Sequence, residues 1–158
     1  MSALVFESLK LSRYLVAVCF AIIPPAVVVL VGGTPYMLVA GMAYGTLSAG
    51  IWLRRNRPVH ATLMNFGILL DVSLVLTLQI ERDAVGTALS NTLGAWEMSH
   101  IICSTLALVL YFPLLYLGWS LFRNRAGLGW ALTHRRLGVV AFVLRSLGFV
   151  LMFSMLKH

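Results

Sequence analysis

Charge is scarce in this chain. Only 11% of its 158 residues are charged, and just five are Asp or Glu. A soluble domain carries about 25% charged residues, so an ordinary water-facing surface is excluded. Cysteine is scarce too. Cys19 and Cys103 both lie inside apolar runs, which argues against a disulfide framework or a CxxC redox centre and makes them small buried hydrophobes. The sequence has no HExxH, no Walker loop, no GxSxG and no CxxCH. The recognisable signatures of zinc peptidases, P-loop enzymes, serine hydrolases and covalent haem attachment are therefore missing.

What the chain has in abundance is apolar sequence, 60% of its residues. A soluble fold of this size could not bury so much, so lipid must be the solvent for much of it. Five apolar runs stand out, over residues 14–31, 36–53, 61–80, 98–122 and 137–156. They predict an all-α integral membrane bundle of about five transmembrane helices, in one transmembrane domain spanning residues 1–158. Lys10 and Arg13 before the first run resemble the start of a signal peptide. No small-x-small cleavage site follows, so the run reads as a retained helix. Pro24 and Pro25 should kink it. Gly32-Gly33-Thr34-Pro35 reads as a tight turn. Residues 81–96 are more polar and have room for a short surface helix.

The basic residues fix an expected orientation. With the N-terminus in the cytoplasm, nine lie inside: Lys10, Arg13, Arg54, Arg55, Arg57, Arg123, Arg125, Arg135 and Arg136. Arg82 and Lys157 lie outside, so the bias is positive-inside and the C-terminus is external. The formal charge of +7 thus reads as topology and contact with anionic lipid, with no nucleic-acid partner. Trp52, Tyr116 and Trp119 fall at the inner interface, as an aromatic belt does. Gly41, Gly45, Gly50 and Gly118 read as close-packing positions.

An internal echo runs through the same regions. Arg55-Asn56-Arg57 after the second run matches Arg123-Asn124-Arg125 after the fourth, with Gly50 and Gly118 ahead of them. His60 then opens the third helix as His134 opens the fifth. The pattern suggests a repeat of helices two–three and four–five.

Two charges stand where lipid should not tolerate them. Asp71 is eleven residues after His60, and Arg145 is eleven after His134. Both helices run in the same direction, so both groups reach about the same depth, near mid-membrane, where no other ionisable group is expected. Each alone would cost at least ~3 kcal/mol there, and a bidentate fork would neutralise both. A structural clamp is the first reading and a proton relay the second.

The histidines are the candidate ligands. His60 and His134 lie at the inner mouth and His100 near the outer face. Two imidazoles facing each other across a bundle can hold a metal or a haem, and His60 with His134 is the candidate pair. The alternative is that each is an interfacial residue bonded to lipid phosphate or a carbonyl. Glu97 and Cys103 are secondary candidates beside His100, Glu97-x-x-His100 having the spacing of a carboxylate and imidazole on one metal. Glu97 could equally favour the start of the fourth helix.

From the second helix onward, about two-thirds of the chain, the sequence resembles the CtaM/YozB-like bacterial membrane family, as a divergent member. His60-Ala61-Thr62-Leu63-Met64 looks like that family's HRRLM with both arginines replaced. Ser99-His100-Ile101 matches its SHI, and His134-Arg135-Arg136-Leu137 its second HRR-type motif. The family is associated with maturation of haem-copper terminal oxidases, and its histidines are suspected haem or metal ligands. The resemblance thus implies a bacterial cytoplasmic-membrane protein, with haem b or copper as candidate cofactors at His60, His100 and His134. Two departures stand out. The family's outer histidine on the third helix falls here at about Arg82, and its aromatic and Pro-containing last helix is replaced by the run carrying Arg145.

Three functions follow. The first is a non-enzymatic multi-pass accessory protein that helps assemble or stabilise a respiratory-type membrane complex, with other membrane subunits and lipid as partners. The second is a haem-b or metal-binding electron-transfer subunit. The third is a purely structural subunit.

Overall fold

The computed structural model describes residues 3–89, 93–125 and 127–156, and the regular structure among them is all helical. In chain order the elements are α1 (Ala3–Leu30), α2 (Pro35–Trp52), α3 (Arg57–Arg82), α4 (Ala84–Leu89), α5 (Ala95–Phe122) and α6 (Leu128–Leu151). A turn of 3₁₀ helix over Met152–Met155 follows. Four segments are long and apolar enough to cross a membrane: Lys10–Leu30, Arg57–Glu81, Ala95–Phe122 and Gly129–Ser154. The fifth long helix, α2, has 18 residues, about 27 Å at the usual helical rise. The chain divides into two compact units, residues 1–70 and 71–158.

In the first unit α2 packs against both α1 and the start of α3, and nine of its residues are buried. Its many Gly, Ala and Ser residues lower its hydropathy but allow contact. Apolar side chains gain nothing by leaving lipid, so helices associate by close van der Waals fit, which small residues permit. The closest approach is at the proline pair. Pro24 and Pro25 lack an N–H, so the carbonyls of Phe20 and Ala21 lose their helical partners. Gly45 sits against those two oxygens. A methyl group there would lie 2.6 Å from Ala21 O and 3.0 Å from Phe20 O. The glycine lets its Cα–H groups face the freed carbonyls, a weak but favourable contact. The helical assignment of α1 continues through both prolines.

The turn into α2 is specified residue by residue. Gly32 takes a φ of +70. The Gly33 N–H donates to Val28 O at 2.9 Å and the Gly32 N–H to Val29 O at 3.1 Å, the paired pattern that closes a helix through a left-handed residue. Thr34 then accepts from the Met37 N–H at 3.3 Å, with Pro35 in the first helical position. On the other face of α2, a methyl on Gly67 would lie 2.8 Å from the Leu47 side chain, and one on Gly50 3.2 Å from Leu63 Cβ.

In the second unit α5 and α6 run antiparallel along a seam with a regular register. Methyls built on three glycines locate it. From Gly118 one would lie 3.3 Å from His134 Cε1, from Gly138 3.8 Å from Leu114, and from Gly148 2.6 Å from Ser104 Oγ. Steps of three and four residues between these levels place Tyr111 opposite Ala141 and Ala107 opposite Arg145. All four are buried.

Several boundaries differ from the hydropathy reading. α1 is helical from Ala3, α5 starts at Ala95, and α6 spans Leu128–Leu151 where the apolar run covers 137–156. His134 therefore does not open its helix but lies nearly two turns inside it. Hydropathy marks where charges stop. Backbone capping decides where a helix starts, and here Gly127 is the N-cap. The polar stretch after α3 contains the short helix α4, with the Asp83 carboxylate accepting from the Gly86 N–H at 3.4 Å.

The asparagines of the echo do different work. Asn56 Oδ1 accepts from the Val59 N–H at 3.5 Å, at the start of α3. Asn124 takes a φ of 54 and closes the end of α5, with the Arg125 N–H on Ser120 O at 3.0 Å and its own N–H on Leu121 O at 3.1 Å. The glycines of the echo act alike, since Gly50 and Gly118 each admit the following long helix closely.

Candidate functional site

The charged pair forms the centre of the second unit. Arg145 Nε donates to Asp71 Oδ2 at 2.7 Å and Nη2 to Oδ1 at 2.6 Å. Both side chains are only 7% exposed. The parallel fork matches the planar guanidinium to both carboxylate oxygens, the strongest geometry such a pair has. Depth matching puts the residues at one level, and the fold puts α3 and α6 in contact there.

A third group completes the cluster. The Tyr111 hydroxyl donates to Asp71 Oδ2 at 2.8 Å from within α5. Tyr111 is thus a further ionisable group at the level of the pair, where none is expected from the charged residues alone. A signal for it exists: Tyr111 is eleven residues after His100, the offset that separates Asp71 and Arg145 from their own histidines. His100 lies at the opposite face, so eleven residues inward reach the middle from that side. The carboxylate thus receives three donated hydrogen bonds from two helices, and one negative charge meets one positive charge.

The histidines are used for helix contacts. His60 Nδ1 lies 2.8 Å from Gly50 O, and His100 Nδ1 lies 2.6 Å from Gly148 O. A carbonyl only accepts, so each Nδ1 carries the hydrogen, and Nε2 of the neutral ring keeps a lone pair. His134 packs its ring edge against Gly118. His60 belongs to the first unit and His100 and His134 to the second.

Of the secondary candidates, Glu97 caps its own helix, its Oε2 accepting from the Gly94 N–H at 2.7 Å. That is the carboxylate half of a capping box at the third helical position. Cys103 is a half-buried free thiol, and Cys19 is exposed. No group of three His, Cys, Asp or Glu side chains that could hold a metal occurs among the described residues.

One polar atom in the seam stands apart. Ser104 Oγ is buried and has no hydrogen-bond partner among the described residues. Buried hydroxyls are nearly always bonded, and an orphan is costly.

Comparison of the chain with protein-family models, with curated proteins and with solved structures returned no match.

Proposed function

We propose that this protein is a non-enzymatic multi-pass membrane accessory protein that assists the assembly or stability of a respiratory-type membrane complex. The supporting observation is how the polar groups within the spans are used. Asp71, Arg145 and Tyr111 bond to one another across three helices, and His60 and His100 each bond a backbone carbonyl. Such groups brace a bundle against lipid and leave its outer faces for partners. The resemblance in the His60, Ser99–Ile101 and His134–Leu137 segments points to haem-copper oxidase assembly. The charge bias supports a bacterial cytoplasmic membrane with the N-terminus inside and the C-terminus outside. Affinity purification in mild detergent from the native host tests the reading. Co-isolation of oxidase subunits, with lower oxidase activity when the protein is deleted, is the expected result. Unchanged oxidase content after deletion overturns it.

A second reading, a haem-b or copper-binding electron-transfer subunit, is favoured by one detail. At both His60 and His100 the Nδ1 hydrogen is held by a carbonyl, which is how metal-binding imidazoles are usually oriented, with Nε2 presented to the metal. Native protein with a redox-sensitive Soret band, lost in His60→Ala, His100→Ala or His134→Ala, would support that role. Native protein carrying neither haem nor metal would rule it out.

A further inference from the structure

The first unit is one-sided in charge. Residues 1–70 include five basic residues and a single acid, Glu7. Glu7 is occupied by Lys10 at 3.2 Å. Arg13, Arg54, Arg55 and Arg57 are exposed and have no carboxylate partner among the described residues. One hydrogen bond gathers them at a corner. Asn56 Nδ2 donates to the Tyr14 hydroxyl at 3.2 Å, joining α1 to the loop between α2 and α3. We propose that this corner is a binding site for one anionic phospholipid, its phosphate held by the Tyr14 hydroxyl and the surrounding arginines.

Tyr14 carries the argument. Lys10, Arg13, Tyr14 and Ala17 follow one another along a single face of α1. Ala17 is buried with Ala49 and Leu53, so this face is turned to the end of α2. Asn56 is committed at both ends of its amide. Its Oδ1 accepts from the Val59 N–H at 3.5 Å, which leaves Nδ2 as the group that meets Tyr14. The Tyr14 oxygen therefore accepts, and its own hydrogen is left for an acceptor outside the fold. Arg13 adjoins Tyr14, and Arg54, Arg55 and Arg57 lie within two residues of Asn56. At ~3.8 Å between successive Cα atoms, all four side chains are long enough to reach the same acceptor. A phosphodiester suits this set. It accepts from a hydroxyl, carries negative charge, and has paired oxygens that match a guanidinium fork.

The surface beside the cations makes the anion a lipid. Phe20 of α1 and Trp52 of α2 meet with ring centroids 5.6 Å apart, and both are exposed. Phe20 is six residues after Tyr14, about 9 Å further into the span at the helical rise. A headgroup at Tyr14 thus sets its acyl chain against the two rings, as aromatic residues at a membrane interface receive lipid. A soluble anion would leave that surface unused. The echo of this segment in the second unit is built differently. Arg123 lies over the Trp119 ring, 4.4 Å from its centroid, and Asn124 closes the end of α5. The inference does not depend on the accessory role.

Quenching of Trp52 fluorescence tests it. In the full chain, Trp96→Phe, Trp119→Phe and Trp130→Phe leave Trp52 as the sole tryptophan. The protein is placed in vesicles that mix phosphatidylglycerol and phosphatidylcholine, one of the two carrying brominated acyl chains. Trp52 should sense phosphatidylglycerol in preference by at least about tenfold. Arg55→Gln should lower the preference about fivefold, the weight of one basic residue at a charged membrane surface. Tyr14→Phe should lower it about threefold or more, through loss of one hydrogen bond to a charged group. If Tyr14→Phe does not fold, Arg55→Gln alone decides. Arg123→Gln with Arg125→Gln removes more charge but should leave the preference within about twofold. Inorganic phosphate, at an ionic strength matched with chloride, should not displace the lipid. Equal quenching by the two lipids overturns the proposal, as does a wild-type preference in Arg55→Gln or in folded Tyr14→Phe. An equal loss in the Arg123/Arg125 variant would reduce the site to diffuse attraction and overturn it too. Displacement by inorganic phosphate would overturn the lipid as its occupant.

Discussion

Removing one member of the Asp71–Arg145 pair should be far more damaging than removing both. Asp71→Asn takes away the carboxylate charge and leaves the guanidinium buried, with its side chain 7% exposed and its two bonds at 2.7 and 2.6 Å weakened. Arg145→Gln leaves the carboxylate in the same position. Breaking a buried pair from one side costs roughly 3–5 kcal/mol, so strict addition predicts about 6–10 kcal/mol for the double variant. The double variant buries no net charge, and Asn and Gln can still bond each other. Its cost should be roughly 3 kcal/mol or less, a coupling of several kcal/mol. Asp71→Leu with Arg145→Met, similar in volume and wholly apolar, should lie close to wild type or above it, because lipid and protein interior then solvate the same kind of surface. Tyr111→Phe removes one of three bonds to the carboxylate and should cost about 0.6–1.7 kcal/mol, the range found for hydrogen bonds between membrane helices. Reversible unfolding in bicelles, by steric trapping or mixed-detergent titration, measures all five variants on one scale. Additive single costs would refute the clamp, because two groups that neutralise each other cannot be independent. Single costs under about 1 kcal/mol would also refute it, since surface pairs behave that way and buried ones do not.

Gly45→Ala should destabilise the first unit by roughly 1–3 kcal/mol, because its methyl would stand 2.6 Å from Ala21 O and α2 would have to back away; unfolding in the same bicelles gives the value, and a neutral result would contradict the close approach. Asn124→Gly should be neutral or slightly stabilising and Asn124→Val destabilising by about 1 kcal/mol or more, since only the former is at ease with a φ of 54; the two thermal midpoints should differ in that order. Glu97→Ala should cost about 1 kcal/mol through loss of the bond to the Gly94 N–H, and Glu97→Gln, which keeps an acceptor, should recover most of it. Reporter fusions should place the 53–56 and 123–127 loops in the cytoplasm and the C-terminus outside, and a cytoplasmic C-terminus would overturn the orientation read from the arginines.

The sequence alone determined the helical membrane character, because apolar runs this long, separated by clustered arginines, have no other stable home than a bilayer. It also located the ion pair. A charge within an apolar run is so costly that Asp71 and Arg145 stand out, and their equal offsets from His60 and His134 set them at one level. Helix ends were harder to read, since they depend on Gly127, Gly32 and Glu97 as backbone caps that hydropathy does not register. The glycine contacts, too, were visible only as small residues. That Gly45 faces carbonyls freed by Pro24 and Pro25, or that Gly148 serves both His100 and Ser104, depends on helix register. The two matching Arg-Asn-Arg segments look alike in sequence, yet one asparagine starts a helix and the other ends one, because each loop leaves a different backbone group to satisfy. Tyr111 gives no comparable signal in the sequence, because a phenol in an apolar run is ordinary. Only the packing of α5 beside α3 and α6 turns it into the third partner of a buried carboxylate. One-dimensional sequence reports what each residue costs in lipid, and the tertiary structure alone decides which neighbour offsets that cost.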